Sequence, residues 1–405
     1  MQRPLTGIRV IGFEQYISAP YCTMLLTDTG AEVIKIERPG TGDPRRVIAP
    51  FVEGEGGQRL GGGFIAYNRN KKSVALNLRS DEGREIYKEL VKAADVVVEN
   101  MRPGVTTRLG IDYDVLKEIN PRLVYAAISG FGQLEGFKGP YTDWPAFDIA
   151  VEAMSGIMHL VGHEDRPPQW TIYGLADLYT GLVTAYSITL ALFMRERTGQ
   201  GQFVDAAMYD SMLSLNERMV MLYSLTGQMQ PRGRMRYQGP RAAFAAKDGY
   251  LAVNIPDDLM WQRMCQAMER EELIDDPRTA DGPARGENAG LVRSVVEAWM
   301  ADKTREEARV ILREHGVPSG PVHTAEDIFN CPQVEARQVL VSIEDPVFGT
   351  YKFARSPMML SSSPGIEAKR PPRLGEHTRS VLQELLGYGN AELDELEAAG
   401  VIESA

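Results

Sequence analysis

The chain has 405 residues and a net charge of -11, with an isoelectric point near 5.2. That length exceeds one ordinary core and implies two or three domains, and the acidic balance excludes a nucleic-acid binder, which needs a basic face. With 43% hydrophobic and 24% charged residues the composition is that of a globular protein, and a local basic pocket for an anionic ligand remains open.

Taken in order, RVIGF (9–13) reads as a buried strand, and Pro20 fits the first turn of the helix that follows, running through Cys22–Asp28 to Gly30. EVIKIE (32–37), SVALNL (73–78), DVVVEN (95–100) and LVYAAISGF (123–131) are further strands. Ser80 is the expected N-cap of a helix ending near Ala94, with Asp81 and Glu82 in its first turn. Short Val/Ile-rich runs alternating with helices predict a mostly parallel sheet covered on both faces, with ligands beyond the carboxyl ends of its strands.

Helices are expected at about 146–162, 176–197 and 205–226, then an extended linker over 226–240. The Asp248–Gly249 pair between two apolar runs signals a hairpin, and helical patterns follow at 257–272, 288–301 and 304–316. The fold class is therefore α/β: a large Rossmann-like parallel-sheet domain (1–226), a smaller α+β domain (227–325) and a tail (326–405) of short strands, a proline-rich loop and a closing helix (378–387). The uncharged stretch 178–194 is short and broken by Thr, Tyr, Ser and Gly, so a core helix is expected there rather than a membrane span. Cys22, Cys265 and Cys331 have neither disulfide-framework nor zinc spacing, and no apolar leader precedes the first strand; a cytoplasmic location is expected.

No glycine-spaced dinucleotide fingerprint follows the first strand, and the glycines of 54–63 lack the Lys-Ser/Thr of a phosphate loop. His159 and His163 stand four apart, but Gly162 intrudes and no acid completes a set, so no metal is expected. Ser211 lacks a nucleophile-elbow pattern. Basic residues crowd the first 110 positions, among them Arg38, Arg45, Arg46, Arg69, Lys71, Lys72, Arg79, Arg102 and Arg108. Placed on the loops of a parallel sheet, they suit a ligand with several phosphates. Between Arg166 and Arg195 stands one charge, Asp177, in an otherwise uncharged run. An acid there is either the cap of the long helix that follows or a reactive carboxylate, and the residues alone leave both readings open.

The segments PLTGIRVIGF, APYCTMLLTDTGAEVIKIERPGTGDPRR, NRNKKSVALNL, ADVVVENMRPGVTTRLGIDYDVLKEINPRLVYAAISGFG, GPYTDWPAFDIAVEAMSG, GLADLYTG, RTGQGQFVDAAMYDSML and PPRLGEHT occur in this order, with a final GVI. Over its whole length the chain thereby resembles class III (CaiB/BaiF-type) CoA-transferases. The resemblance implies that Asp177 is the catalytic carboxylate and that Arg38, Leu76, Arg79, Asn100, Arg108 and Leu109 bind coenzyme A, with Phe147 beside the thioester. It implies a homodimer of interlocked, ring-shaped chains, each with a C-terminal return to the large domain (326–405), without prosthetic group, acting on an acyl-CoA and a small carboxylic acid. It also implies that each active site lies where one chain's large domain meets its partner's small domain.

Departures from the formyl-CoA branch point away from oxalate or formate. Ile17 stands where that branch has Gln, Pro145 occupies the region of a CoA-contacting Lys, with Lys138 elsewhere, and the small-domain glycine run is missing. The family's racemases carry a His where this chain has Phe147, so the second base of a proton shuttle is missing. Asp148 beside it reads as an N-cap or structural acid. The chemistry expected is covalent, through aspartyl-anhydride and aspartyl-CoA intermediates, with backbone N–H groups at the start of the Asp177 helix steadying oxyanions. The branch it looks most like is succinyl-CoA:(S)-malate or a related dicarboxylate CoA-transferase. The Arg-rich PRGRMRYQGPR (231–241) is either a second carboxylate site or a solvated linker. A CoA-binding subunit paired with an active homologue is the alternative from another class.

Overall fold

The computed structural model describes residues 2–54, 57, 59–233, 240–363 and 365–405. The chain divides into one unit formed by Met1–Arg232 with Val339–Ala405 and a second formed by Gly233–Gln338. The limits read from sequence were 226 and 325. The short helices Ala325–Phe329 and Pro332–Ala336 fall within the second unit and are too brief to show a helical period.

The first unit opens with β1 (Arg9–Phe13), α1 (Ser18–Asp28), β2 (Glu32–Glu37), a 3-10 turn at Pro44–Val47, the small ribbon β3 (Phe51–Glu53) and β4 (Arg59–Gly61), and α2 (Gly62–Ile65). It continues with β5 (Lys72–Leu76), α3 (Asp81–Lys92), β6 (Val96–Glu99), α4 (Val105–Leu109), α5 (Tyr113–Ile119) and β7 (Val124–Ser129). Next come α6 (Asp148–Met154), α7 (Ile157–Leu160), α8 (Leu175–Thr198), β8 (Gln202–Ala207), α9 (Met208–Leu215) and α10 (Glu217–Thr226). Ser80 caps α3 as expected, accepting from the Gly83 N–H at 3.1 Å.

Two expectations are corrected. The helix predicted over 146–162 breaks at Gly156, whose φ of 82° ends α6 and starts α7. The helix predicted from 205 begins only at Met208, because QFVDAA (202–207) is the half-buried outermost strand β8, paired with β7.

The second unit holds β9 (Arg241–Ala246) and β10 (Gly249–Asn254), the expected hairpin, then α11 (Asp258–Ala267), α12 (Gly282–Glu287), α13 (Ala289–Met300), α14 (Arg305–Glu314) and β11 (Ser319–Pro321). The strands run antiparallel in the order β11-β10-β9 around a core that includes Phe244, Leu251, Trp261, Val296 and Leu312. The two helices named above close it as α15 and α16.

The chain then rejoins the first unit as the hairpin β12 (Leu340–Asp345) and β13 (Gly349–Ala354), followed by α17 (Thr378–Leu386), α18 (Asn390–Ala398) and β14 (Ile402–Glu403). β14 adds an antiparallel edge to β5, giving a seven-stranded sheet in the order β14-β5-β2-β1-β6-β7-β8, parallel in every other pair. Successive residues of each strand feed opposite cores. Val10, Val96 and Val98 pack with α1 and α8, whereas Ile11 and Val97 pack with α3, α17 and α18. β1 lies between β2 and β6, so the order of connection reverses at the β1–β6 boundary. In open α/β sheets that reversal leaves a crevice beyond the strand ends, where ligands bind.

Candidate active site

A cleft of about 470 Å³ opens at that reversal. Its walls come from the loop after β1 (Gln15–Ser18), the loop after β6 (Asn100–Pro103), the end of β7 and the segments carrying Phe147, Trp170, Tyr173 and Asp177.

Asp177 is the third residue of α8, one turn past the left-handed Gly174 (φ 86°). It does not cap the helix. Asp148, at the start of α6, does so from elsewhere in the chain: its Oδ1 accepts the Ala176 and Asp177 N–H groups at 2.7 and 3.4 Å, and its Oδ2 accepts Trp170 Nε1–H at 2.9 Å. One helical turn on, Glu152 accepts the Thr171 hydroxyl at 2.8 Å and Trp170 Nε1–H at 3.2 Å. Two acids on one face of α6 thus grip the strand-less segment 170–177 and fix where Asp177 stands. With those N–H groups engaged by Asp148, the expectation that they steady oxyanions is not met. The start of α1 carries no side-chain cap and lines the cleft at Ile17 and Ser18.

The loop after β1 is clamped by Asn100. Its Oδ1 accepts the Gln15 N–H at 2.9 Å, and its Nδ2 donates to the Gln15 carbonyl at 2.7 Å and to Ser18 Oγ at 3.3 Å. Tyr16, next along, has a left-handed φ of 64°, and its N–H is held by Asp43 at 3.2 Å. The Ser18 hydroxyl passes this order on by hydrogen-bonding Asp177. Burial, and then the Asp148 charge, push the Asp177 carboxyl up to about 7; the Ser18 hydroxyl and the Arg45 charge pull the other way. At neutral pH it is therefore present both as a proton carrier and as a nucleophilic carboxylate, the poise expected of a reacting group.

Of the residues assigned by resemblance, Asp177, Asn100 and Phe147 meet in the cleft. Phe147, 60% exposed, stands edge-on to the Tyr16 ring at 6.1 Å. Arg38 and Arg79 follow β2 and β5 on the same rim of the sheet, exposed, and Arg108 and Leu109 end α4 after β6. Leu76 is buried in β5, opposite Ile402. None of these five lines the cleft itself.

The crowd of basic residues divides in two, with Arg45, buried beside the Tyr173 hydroxyl, apart from both groups. Arg46 pairs with Glu37 (2.7 Å), Arg69 with Asp28 (2.5 Å), Lys71 with Glu14 (2.7 Å) and Lys72 with Glu32 (2.7 Å). Those four are held by carboxylates within the fold, whereas the sequence grouped them with the charges suited to a ligand with several phosphates. Arg38, Arg79, Arg102 and Arg108 make no ion pair among the described residues and are exposed. Positions 234–239 of the Arg-rich stretch lie outside the described residues. Sequence reasoning did not find the parts played by Ser18, Glu152, Trp170 and Tyr173; the one signal was the aromatic pair in QWTIYG just before Asp177.

A family model for CoA-transferase family III matches residues 5–378. This chain belongs to that family. The transferase is 36% identical over 403 residues to a succinyl-CoA–D-citramalate CoA-transferase of Chloroflexus aurantiacus, covering 99% of this chain and 98% of the relative. It is 38% identical over 383 residues to a succinyl-CoA:mesaconate CoA-transferase of Haloarcula marismortui, with 94% and 96% covered. The crystal structure of a CaiB/BaiF family protein from Brucella suis matches it with a TM-score of 0.85 at 34% identity, over 95% of this chain and 100% of that one.

Proposed function

We propose that the transferase moves coenzyme A from succinyl-CoA to a short dicarboxylate such as citramalate or malate, with Asp177 as the covalent relay. The observation that carries this reading is Asp177 itself, an acid poised near neutral pH beside Asp148 in the cleft at the sheet's reversal point. Its carboxylate oxygen attacks the thioester carbonyl carbon, the C–S bond breaks, and CoA thiolate leaves an aspartyl-succinyl anhydride. The thiolate then attacks the Asp177 carbonyl carbon, releasing succinate and leaving an aspartyl-CoA thioester. The acceptor carboxylate attacks that thioester and the steps run in reverse. Splitting one exchange into easier displacements is the logic of nucleophilic catalysis.

Arg38, Arg79 and Arg108, exposed on the rim beyond the strand ends, are the candidates for the phosphates of coenzyme A, with Leu76, Asn100 and Leu109 nearby in sequence. Phe147 then lies against the thioester. A racemase needs a second base, and the Phe147 ring has no proton to exchange. The names of the relatives support the choice of acids.

The working form in this reading is a homodimer of interlocked chains. Supporting it, Leu182, Tyr186, Leu190 and Phe193 form an exposed apolar stripe along α8, the kind of surface that a partner covers. α8 has the length and apolarity to cross a membrane, but it packs against α1 and the sheet through Ala185, Ile188 and Leu192. Three free thiols, two of them buried, are consistent with a reducing cytoplasm.

The test is a panel of succinyl-CoA against malate, citramalate, mesaconate, itaconate and carnitine, read by mass spectrometry with wild type and Asp177→Ala. Transfer to a dicarboxylate by wild type alone is expected. Transfer at full rate by the alanine variant contradicts the reading.

A further inference from the structure

Lys35, Arg45, Arg69, Lys71, Arg195 and Arg285 are the buried cations among the described residues. Five of them sit against a carboxylate: Lys35 on Asp43 at 2.9 Å, Arg69 on Asp28, Lys71 on Glu14, Arg195 on Asp95 at 3.0 Å and Arg285 on Asp258. Arg45 has none, although it is only 6% exposed. A buried unpaired charge is strongly unfavourable, and proteins retain one where something else completes it.

What surrounds Arg45 indicates what that something is. Its Nη1 donates to the Tyr173 hydroxyl at 3.1 Å, and its guanidinium lies 5.7 Å from the ring centroids of both Tyr67 and Tyr173. Its Nε–H is buried and has no acceptor. Tyr173 lines the cleft together with Asp177, and the Arg45 charge acts on the Asp177 carboxyl. The neighbouring Arg46 is by contrast saturated by Glu37 at 2.9 and 2.7 Å. When Asp177 turns into an anhydride or thioester it loses its negative charge, and Arg45 loses that charge's attraction. A substrate that carries a second carboxylate restores it.

Resting on the proposed relay at Asp177, we infer that Arg45, oriented by Tyr173 and Tyr67, binds the non-reacting carboxylate of the substrate acid and so selects dicarboxylates over monocarboxylates. A fork of N–H donors whose buried Nε–H has no acceptor matches a carboxylate, and the aromatic walls keep water from competing for it.

The test compares two degenerate exchanges at pH 8.5, where Asp177 is ionised: succinyl-CoA with labelled succinate, and butyryl-CoA with labelled butyrate. Wild type is expected to favour the succinyl pair by ~100-fold or more in kcat/KM, since a buried donor left without its acceptor discriminates strongly. Arg45→Gln is expected to lose at least ~30-fold of that preference, through the succinyl exchange, with a far smaller change in the butyryl exchange. Equal losses in both exchanges overturn the inference and leave the Asp177 relay standing. Should the variant not fold, wild type alone still decides, because equal rates for the two acids contradict a carboxylate subsite. Asp177→Ala, run in parallel, reports on the relay independently.

Discussion

Asp148 and Asp177 share one helix terminus: the first accepts the backbone N–H of the second at 3.4 Å and that of Ala176 at 2.7 Å. A carboxylate in the first turn of a helix is ordinarily stabilised by the exposed N–H groups and the helix dipole. Here Asp148 takes that benefit, and its charge, added to burial, raises the proton affinity of Asp177. A helix start that would normally acidify an aspartate instead holds one near neutrality.

The pH dependence of transfer follows. Attack needs the ionised carboxylate, so kcat/KM for the acyl-CoA donor should rise with pH and level off above about 7. Asp148→Asn keeps an acceptor for the two N–H groups and removes the charge, so the inflection should move to lower pH. A profile of kcat/KM against pH checks both statements; an unshifted inflection in the variant removes Asp148 from the account.

Stability should show the opposite face of the same poise. With its folded value raised from 3.8 to about 7, Asp177 keeps its proton in the folded chain across a window where the unfolded chain has lost it. Stability therefore falls as pH rises from about 4 to 7, and the full penalty is present above 7. Asp177→Asn should be more stable than wild type by about 1–2 kcal/mol at pH 8, after allowance for solvent screening, and nearly equal to it at pH 4. Denaturation curves at the two pH values provide the comparison.

Packing between α1 and α8 places Ser18 beside Asp177, and Gly181 permits the approach: a Cβ there would stand 2.6 Å from the Ser18 carbonyl oxygen. Gly181→Ala should therefore cost about 1–3 kcal/mol and reduce transfer at least ~10-fold by moving α8 away from the loop after β1. Unchanged kinetics in a folded Gly181→Ala protein would show that the contact does not position the site.

Asn100 is a clamp on Gln15 in the structure and a coenzyme A contact by resemblance. The clamp predicts that Asn100→Ala lowers kcat, because Tyr16 and Ser18 lose their support, while coenzyme A still binds with little change. A binding titration set beside the kinetics separates the two, since loss of a direct contact raises the dissociation constant.

How much of this could be read beforehand depended on range along the chain. β1 and β2 were legible to the residue because short runs such as RVIGF and EVIKIE, buried on both faces, have no helical alternative. β8 was not: QFVDAA is a half-buried edge that passes directly into α9, and its character comes from β7 alongside. The last strand is two residues long and exists only because β5 offers it an edge. Asp177 was visible as one charge in an uncharged stretch. Its cap was not, for Asp148 lies 29 positions away and nothing local ties the two. Arg69 and Lys71 read as ligand-binding charges because their partners, Asp28 and Glu14, stand 41 and 57 positions upstream.

The relay at Asp177 is most directly tested by trapping. Wild-type protein turning over an acyl-CoA is quenched with hydroxylamine, digested, and its peptides weighed. The account predicts a hydroxamate on the peptide containing Asp177, formed from the anhydride or thioester and missing when the acyl-CoA is left out. An active preparation in which that peptide keeps its original mass would contradict it.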